Sequence, residues 1–498
     1  MRWSNAATSP SRYWKRPDEP LRLAPARKLI HSLTRLRAIA EPECMPRSLP
    51  WFTVRVQFSV IVLFLASLPL SALQRQPLAT YHARRVALGD TLHGGVAVLF
   101  AAEEPLLDFM PYRQDADFYY LTGWNEPGAA LLVVGADSSA KPAQSYREIL
   151  FLPVRNLRME KYTGVKMDAA TPDVAKLAGV DEVMPMSALP SVLDAMIVAN
   201  RKVGANVWAE PDSPQAAALL PWTATTLGDA APLKAHDLTQ RTTPLRQVKD
   251  PGEIALMKQA ANASIDAQRL MFRSVKAGVT ERAVAGEMIA RMMENGCERP
   301  SYAPIVGSGI NSTTLHYSKN SATMQDGDLV VVDAACEYSM YASDITRTVP
   351  VSGHFTARQR EVYDVVLGAQ RAAAAAFVAG KSTINDPYHQ DPNSLDTVAW
   401  QYIHDHGKGP HGEPLSDYWI HGLGHMVGID VHDPATYPAV LKPGMVFTIE
   451  PGVYIPEEKL GVRIEDTFVV GQDGKLIDLI ANLPHTAQHV EAAMKPAQ

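Results

Sequence analysis

Cysteine is scarce in this chain. Its 498 residues hold three, Cys44, Cys297 and Cys336. They are too few and too scattered for a disulfide framework or a thiolate metal site. Two buried thiols are the default expectation for Cys297 and Cys336, with a single bridge as the alternative. No zinc-finger spacing occurs, and no polybasic run follows the first 57 residues, which argues against nucleic acid as a partner. No GxGxxG fingerprint follows a first strand, so a nucleotide-binding fold has little support. Charge of one sign is not in excess either: the net charge is −6 and the composition is that of an ordinary globular protein. The length suffices for two or more domains, each with a core of its own.

The first 57 residues differ from the rest. They carry eleven Lys or Arg against four Asp or Glu, with many Pro and Ser and weak periodicity, so disorder is expected. The apolar run FSVIVLFLASLPLSAL follows at residues 58–73, short of a typical spanning helix and rich in small residues at its end. Arg47 and Arg55 precede it. This is the outline of a secretory signal peptide cleaved near residues 72–76, which implies a periplasmic or secreted protein. An uncleaved membrane anchor and a cytoplasmic protein are the alternatives. Met45 gives a shorter basic lead-in than Met1, so residues 1–44 read as a basic, disordered leader and an over-called gene start, and residues 45–75 as the signal or anchor.

Residues 76–240 alternate between helical and strand-like patterns. YHARRVALGDTL, TPDVAKLAG and SALPSVLDAMIVANR suggest helices, while GGVAVLFAA, AALLVVGA, REILFLPV and ANVWAEP suggest buried strands. A sheet covered by helices is expected. Around residue 245 the pattern changes. Asp250, Pro251 and Glu253 form a helix-start signature, and Thr280 caps a second helix running to Gly296. SYAPIVGSG and TTLHY suggest two short strands. The segment 382–418 is less regular, with one helical section from Leu395 to His406; His404, His406 and His411 read as loop histidines.

The chemistry concentrates between Asp333 and Glu465. Asp333 stands in VVDAACEY, Asp344 in YASDITRT, Glu450 in TIEPG and Glu465 in VRIEDT, each within or after an apolar run. Four acidic groups in such settings cannot stay ionised and unpaired at low cost. A pair of divalent cations would resolve this, with carboxylates as ligands and His425 of HGLGHMVG adding an imidazole. A strand, a reversal and a second strand bring Asp333 and Asp344 to one point. Glycines 422, 424 and 428 permit close backbone approach around His425.

The motifs SYAPIVGSGINSTTLHYSKN, VVDAACEYSMYASDITRTVP, HGLGHMVGIDVHD, FTIEPGVY and GVRIEDTFVV, together with YRQDADFYYLTGWNEPGAALLV upstream, resemble the Xaa-Pro aminopeptidase (aminopeptidase P) family over about residues 76–483. The resemblance implies an α+β chain: a smaller mixed α/β creatinase-like domain at 76–240, a pita-bread metallopeptidase domain at 245–485 and a C-terminal tail at 486–498. It implies that Asp333, Asp344, His425, Glu450 and Glu465 hold two divalent metal ions, usually Mn2+. Glu450 is also the implied general acid/base. His316 and His432 would polarise the substrate, His421 would help position it, and Arg463 would orient the ligand carboxylates. The implied reaction hydrolyses the bond before a proline at the second position of a peptide, by an activated water, releasing the first residue. The implied assembly is a homo-oligomer, dimer or tetramer. A prolidase acting on Xaa-Pro dipeptides uses the same metal frame and is the alternative. Ala335 stands where the family commonly has Gly, and a small backbone shift is expected there.

Overall fold

Apolar runs of five or six residues decide the first sheet. The computed structural model describes residues 73–105, 111–140, 143–199, 206–219 and 235–495. The leader, Cys44 and nearly all of the expected signal segment lie outside these residues. Strands β1 (Val96–Phe100), β2 (Ala130–Val134), β3 (Arg147–Leu152), β4 (Glu182–Pro185), β5 (Val207–Ala209) and β6 (His236–Asp237) form one sheet in the order β4-β3-β2-β1-β5-β6. The centre is antiparallel and both flanks are parallel. Every residue of β1 and β2 is buried, so both faces are covered, as uninterrupted apolar runs require. The helix Leu78–Thr91 supplies part of that cover. Its Arg85 is fully buried and pairs with Glu148 at 2.8 Å, while its other nitrogens donate to the carbonyls of Leu121 and Gly179. The aromatic stretch DFYY forms the helix Ala116–Thr122, started by the Asp115 side chain accepting from Phe118 N. Phe118, Tyr119 and Tyr120 are buried.

The helix Thr239–Gln247 bridges the expected boundary, and Asp250 then caps the helix Pro251–Ser274 in a reciprocal box with Glu253. The Thr280 cap also forms, on the helix Glu281–Glu294. Such caps contribute on the order of 1 kcal/mol each.

The second domain carries β7 (Arg299–Pro300), β8 (Ile305–Ser308), β9 (Leu329–Asp333), β10 (Cys336–Tyr338), β11 (Tyr341–Ala342), β12 (Thr346–Pro350), β13 (Val446–Ile449), β14 (Gly452–Ile455), β15 (Leu460–Arg463), β16 (Asp466–Val470) and β17 (Leu476–Asp478). They form the sheets β8-β9-β12, β7-β10-β11, β13-β16-β17 and β14-β15. The helices Ala357–Ala376 and Leu395–His406 pack against each other. The hairpin after Asp333 is broken into two parts. β9 pairs with β12, and β10 with β11, so the chain changes sheets at 334–335 and again at 343–345.

Three expectations need correction. TTLHY forms no strand: a 3₁₀ turn covers Gly309–Thr313 and His316 lies in the turn beyond it. Only β8 has neighbours to pair with there, and Gly307 and Gly309 let the chain turn away. Residues 487–494, read as tail, form a helix whose Ala487 and Val490 are buried. Cys297 and Cys336 are joined in a disulfide rather than kept as two thiols, because the end of the second helix reaches the start of β10. Ala335 is fully buried in the core, and its carbonyl accepts from Ser301 N at 3.0 Å.

Candidate metal centre

Each acidic residue of the frame stands where a strand ends or breaks. Asp333 is the last residue of β9, and its register partner is Thr346 of β12. Asp344 falls in the gap between β11 and β12, Glu450 directly after β13, and Glu465 between β15 and β16. Strand ends leave side chains free of the alternating pattern while the backbone stays fixed by its ladder. His425 belongs to a loop laid on β13. Its N–H donates to Thr448 Oγ1 at 3.0 Å and its carbonyl accepts from Thr448 N at 2.9 Å. A Cβ at the preceding Gly424 would come 2.2 Å from Thr448 O, so only glycine permits this approach.

These elements close around a cavity of about 450 Å³. All nine residues singled out in the sequence line it: His316, Asp333, Asp344, His421, His425, His432, Glu450, Arg463 and Glu465. Ligand atoms of Asp344, His425 and Glu465 lie within 4.8 Å of one another. His425 Nε2 is 3.3 Å from Asp344 Oδ2 and 3.4 Å from Glu450 Oε1. Its Nδ1 faces the carbonyl of Met426 at 3.0 Å, which turns Nε2 toward the carboxylates. Arg463 donates to Asp333 Oδ2 at 2.7 Å and to Tyr454 OH at 3.0 Å.

The sequence reading missed several supporting groups. Tyr302 OH donates to Asp333 Oδ1 at 2.5 Å, Thr346 Oγ1 to Glu465 Oε2 at 2.6 Å, and Thr448 Oγ1 to Glu450 Oε1 at 3.0 Å. Thr448 lies two residues from Glu450, a signal present in the sequence, whereas Thr346 reaches 119 positions to Glu465. Tyr302 lies 31 positions from Asp333, and local pattern carries no signal for that contact.

The field of the cluster is strongly negative. Burial and the charges of Asp344, Glu450 and Asp333 hold the Glu465 carboxyl well above the ordinary carboxylate range. Burial and the charges of Asp344 and Asp333 push Glu450 up to about 7 against the pull of His425 and Arg463. Asp333 is also raised by burial, with Arg463 opposing. Burial disfavours charge on His425, yet Asp344 and Glu450 outweigh it and raise the imidazole to about 9. Its proton stands where a cation would go, and a metal must displace it. His421 and His432 behave oppositely. Burial and Arg463 lower His421 to about 4, and burial and His425 lower His432, so both stay neutral. His421 has both nitrogens engaged, Nδ1 facing Gly422 O at 2.8 Å and Nε2 facing Tyr454 OH at 2.9 Å. His316 is exposed on the cavity wall. His404 and His406 are taken up elsewhere, by Ser416 and by the carbonyl of Tyr402.

Residues 255–472 match metallopeptidase family M24, and residues 81–204 match the aminopeptidase P N-terminal domain. With the cavity above, these matches define the class: a metallopeptidase that uses divalent metal. The Xaa-Pro aminopeptidase of Escherichia coli is 33% identical over 456 residues, covering 86% of this chain and all of that protein. Xaa-Pro aminopeptidase 3 of Mus musculus is 34% identical over 397 residues, 76% of each chain. The solved proline aminopeptidase P II of Yersinia pestis superposes with a TM-score of 0.75 at 30% identity, over 84% of this chain and 99% of that one. The chain belongs to the Xaa-Pro aminopeptidase family and is an enzyme of that type. Its fold is the α+β arrangement the resemblance implied, a pita-bread catalytic domain behind an aminopeptidase P-type N-terminal domain.

Proposed function

We propose that this aminopeptidase removes the first residue from peptides with proline in second position, and that it does so with two divalent cations, Mn2+ in the native state. The observation that carries this reading is the imbalance of the cavity. Four carboxylates and one imidazole converge, and among the described residues lining the cavity the Arg or Lys aimed at them is Arg463, which pairs with Asp333. An oxygen-rich set with one nitrogen fits Mn2+ and related ions. Asp333, Asp344, His425, Glu450 and Glu465 would hold them. Divalent ions bound there would supply Lewis-acid polarisation of the scissile carbonyl and a water deprotonated near neutral pH.

The residues of the chain do the rest. Glu450 lines the cavity beside His425 and would accept a proton from the attacking water and return it to the leaving proline nitrogen. His316 and His432 line the same cavity and would donate to the carbonyl oxygen as charge builds there. The two occupied nitrogens of His421 support a role in shaping and positioning rather than donation. Arg463 and Tyr302 keep Asp333 oriented. Proline lacks an N–H and fixes its backbone angle, so a rigid cavity can select it by shape.

The test combines metal analysis with a peptide assay. Two ions per chain, and turnover of an Xaa-Pro-Xaa tripeptide over an Xaa-Pro dipeptide, are expected. Strong preference for the dipeptide would make the enzyme a prolidase instead. Export rests on the segment at 45–75, and the Cys297–Cys336 disulfide supports an oxidising compartment. Among the described residues no helix is long and apolar enough to cross a membrane. N-terminal sequencing of the native protein checks the cleavage: a chain beginning at Met1 would exclude it. Exposed Val154, Leu157, Tyr162 and Val165 on the N-terminal domain support assembly into a homo-oligomer, dimer or tetramer.

A further inference from the structure

We propose that Asn385 is a positioning residue for the metal centre, acting through the peptide of Gly424 on the imidazole of His425. The proposal rests on reading His425 as a ligand. Asn385 lies in the irregular segment 382–396, to which the sequence reading assigned no chemistry. Its side chain lines the metal cavity. There it grips one residue at both polar atoms: Nδ2 donates to Gly424 O at 2.7 Å, and Oδ1 accepts from Gly424 N at 3.2 Å. Gly424 immediately precedes His425. Thr448 holds His425 N and O, and no side chain fits between Gly424 and Thr448. The loop bearing the ligand is thus clamped between β13 and Asn385.

The segment carrying Asn385 is itself held. Thr383 N donates to Asn393 O at 3.1 Å, and Leu395 N and Asp396 N donate back to the carbonyls of Thr383 and Ile384 at 3.0 Å. Asp386 accepts from Tyr388 N at 3.0 Å and from Asp391 N at 2.7 Å. His389 pairs with the buried Asp396 at 2.8 Å and stacks on Trp400, with ring centroids 4.9 Å apart. A side chain mounted on such a loop fixes its target instead of following it. Partners that orient a metal ligand typically change metal affinity or activity about 10- to 100-fold when removed.

The test uses the purified full chain stripped of metal and titrated with Mn2+ by calorimetry. Asn385→Ala removes the clamp and its bulk. Asn385→Leu keeps the bulk and removes both hydrogen bonds. Both variants are expected to bind Mn2+ about tenfold or more weakly. In the loaded enzyme, kcat should fall with KM for an Xaa-Pro-Xaa peptide nearly unchanged, and the metal-free Tm should stay close to that of the parent. Wild-type Mn2+ affinity in either variant would overturn the proposal, as would a raised KM with unchanged kcat, which would make Asn385 a substrate contact. His425→Ala separates the two layers of the argument. Unchanged Mn2+ binding in that variant would remove the ligand reading itself. Weakened binding there, with unchanged binding in the Asn385 variants, would remove only the clamp.

Discussion

Two buried clusters of charge in this protein look alike in composition and behave oppositely. At the contact between the domains, Arg246 holds Asp117 at 2.7 Å, Asp433 at 2.6 Å and Asp430 at 2.8 Å. Lys249 holds the second oxygen of Asp433 at 2.9 Å, and Arg113 ties Glu337 to Asp430. Burial alone would raise Asp433, but Lys249 and Arg246 outweigh it and hold its carboxyl below the ordinary range. In the metal centre, equally buried Glu465 is pushed well above that range by burial, and the neighbouring acids Asp344, Glu450 and Asp333 add to the shift instead of opposing it. For Asp433 and Glu465 burial pushes the same way and the charge of the neighbours sets the outcome, whereas Glu337 is raised by burial in spite of Arg113 and Arg299. Asp117, Asp430, Asp433 and Glu337 of the first cluster each meet a cation within the chain. Beyond Arg463, the second lacks such cations among the described residues that line it and would be balanced by the divalent metal proposed for it, which is the difference between a structural network and a candidate binding site.

The sharpest way to break this contrast is to remove a carboxylate from the unbalanced side. Asp344→Ala or Glu450→Ala is expected to lower kcat/KM by about 10³-fold or more while the metal-free protein stays folded. A peptide assay with parallel thermal melts reads both; near-normal turnover in the metal-replete variant would contradict the assignment. On the balanced side the outcome reverses. Arg246→Ala leaves buried Asp117 and Asp433 short of a partner and should cost about 3–5 kcal/mol in denaturant unfolding. Glu450 sharpens the contrast through pH. In metal-stripped protein, it is protonated when folded and ionised when unfolded between the ordinary carboxylate range and about 7. The folded state then binds more protons, so stability should fall as pH rises through that window. Glu450→Gln should flatten this part of the profile, and saturating Mn2+ should reverse its direction. The smallest effect belongs to Asp430, whose side chain is 37% exposed against 1% for Asp433. Asp430→Asn should cost about 1 kcal/mol or less. A loss as large as that of Arg246→Ala would show that exposure does not grade the network.

Much of the centre was legible beforehand because its parts are local. Asp333 ends an apolar run, Glu450 follows one, and the glycines around His425 advertise a close backbone approach that Gly424 indeed makes. Caps at Asp250 and Thr280 act over three residues and formed as read. The failures share a cause. The Cys297–Cys336 bridge spans 39 positions, Tyr302 reaches 31 positions to Asp333, and Asn385 reaches 39 to Gly424. None leaves a mark on its own neighbourhood. The helix 487–494 went unread because its burial depends on a surface built elsewhere in the chain.

By itself the sequence determined which side chains were available and where strands, helices and breaks would put them along the chain. Periodicity and capping act within a few residues, so they survive without a fold. Only the tertiary structure decided that four carboxylates would share one cavity while a similar set at the domain contact would each meet a cation. Coulomb interaction and desolvation act through space, and the distances that set their sign exist only once the chain has folded.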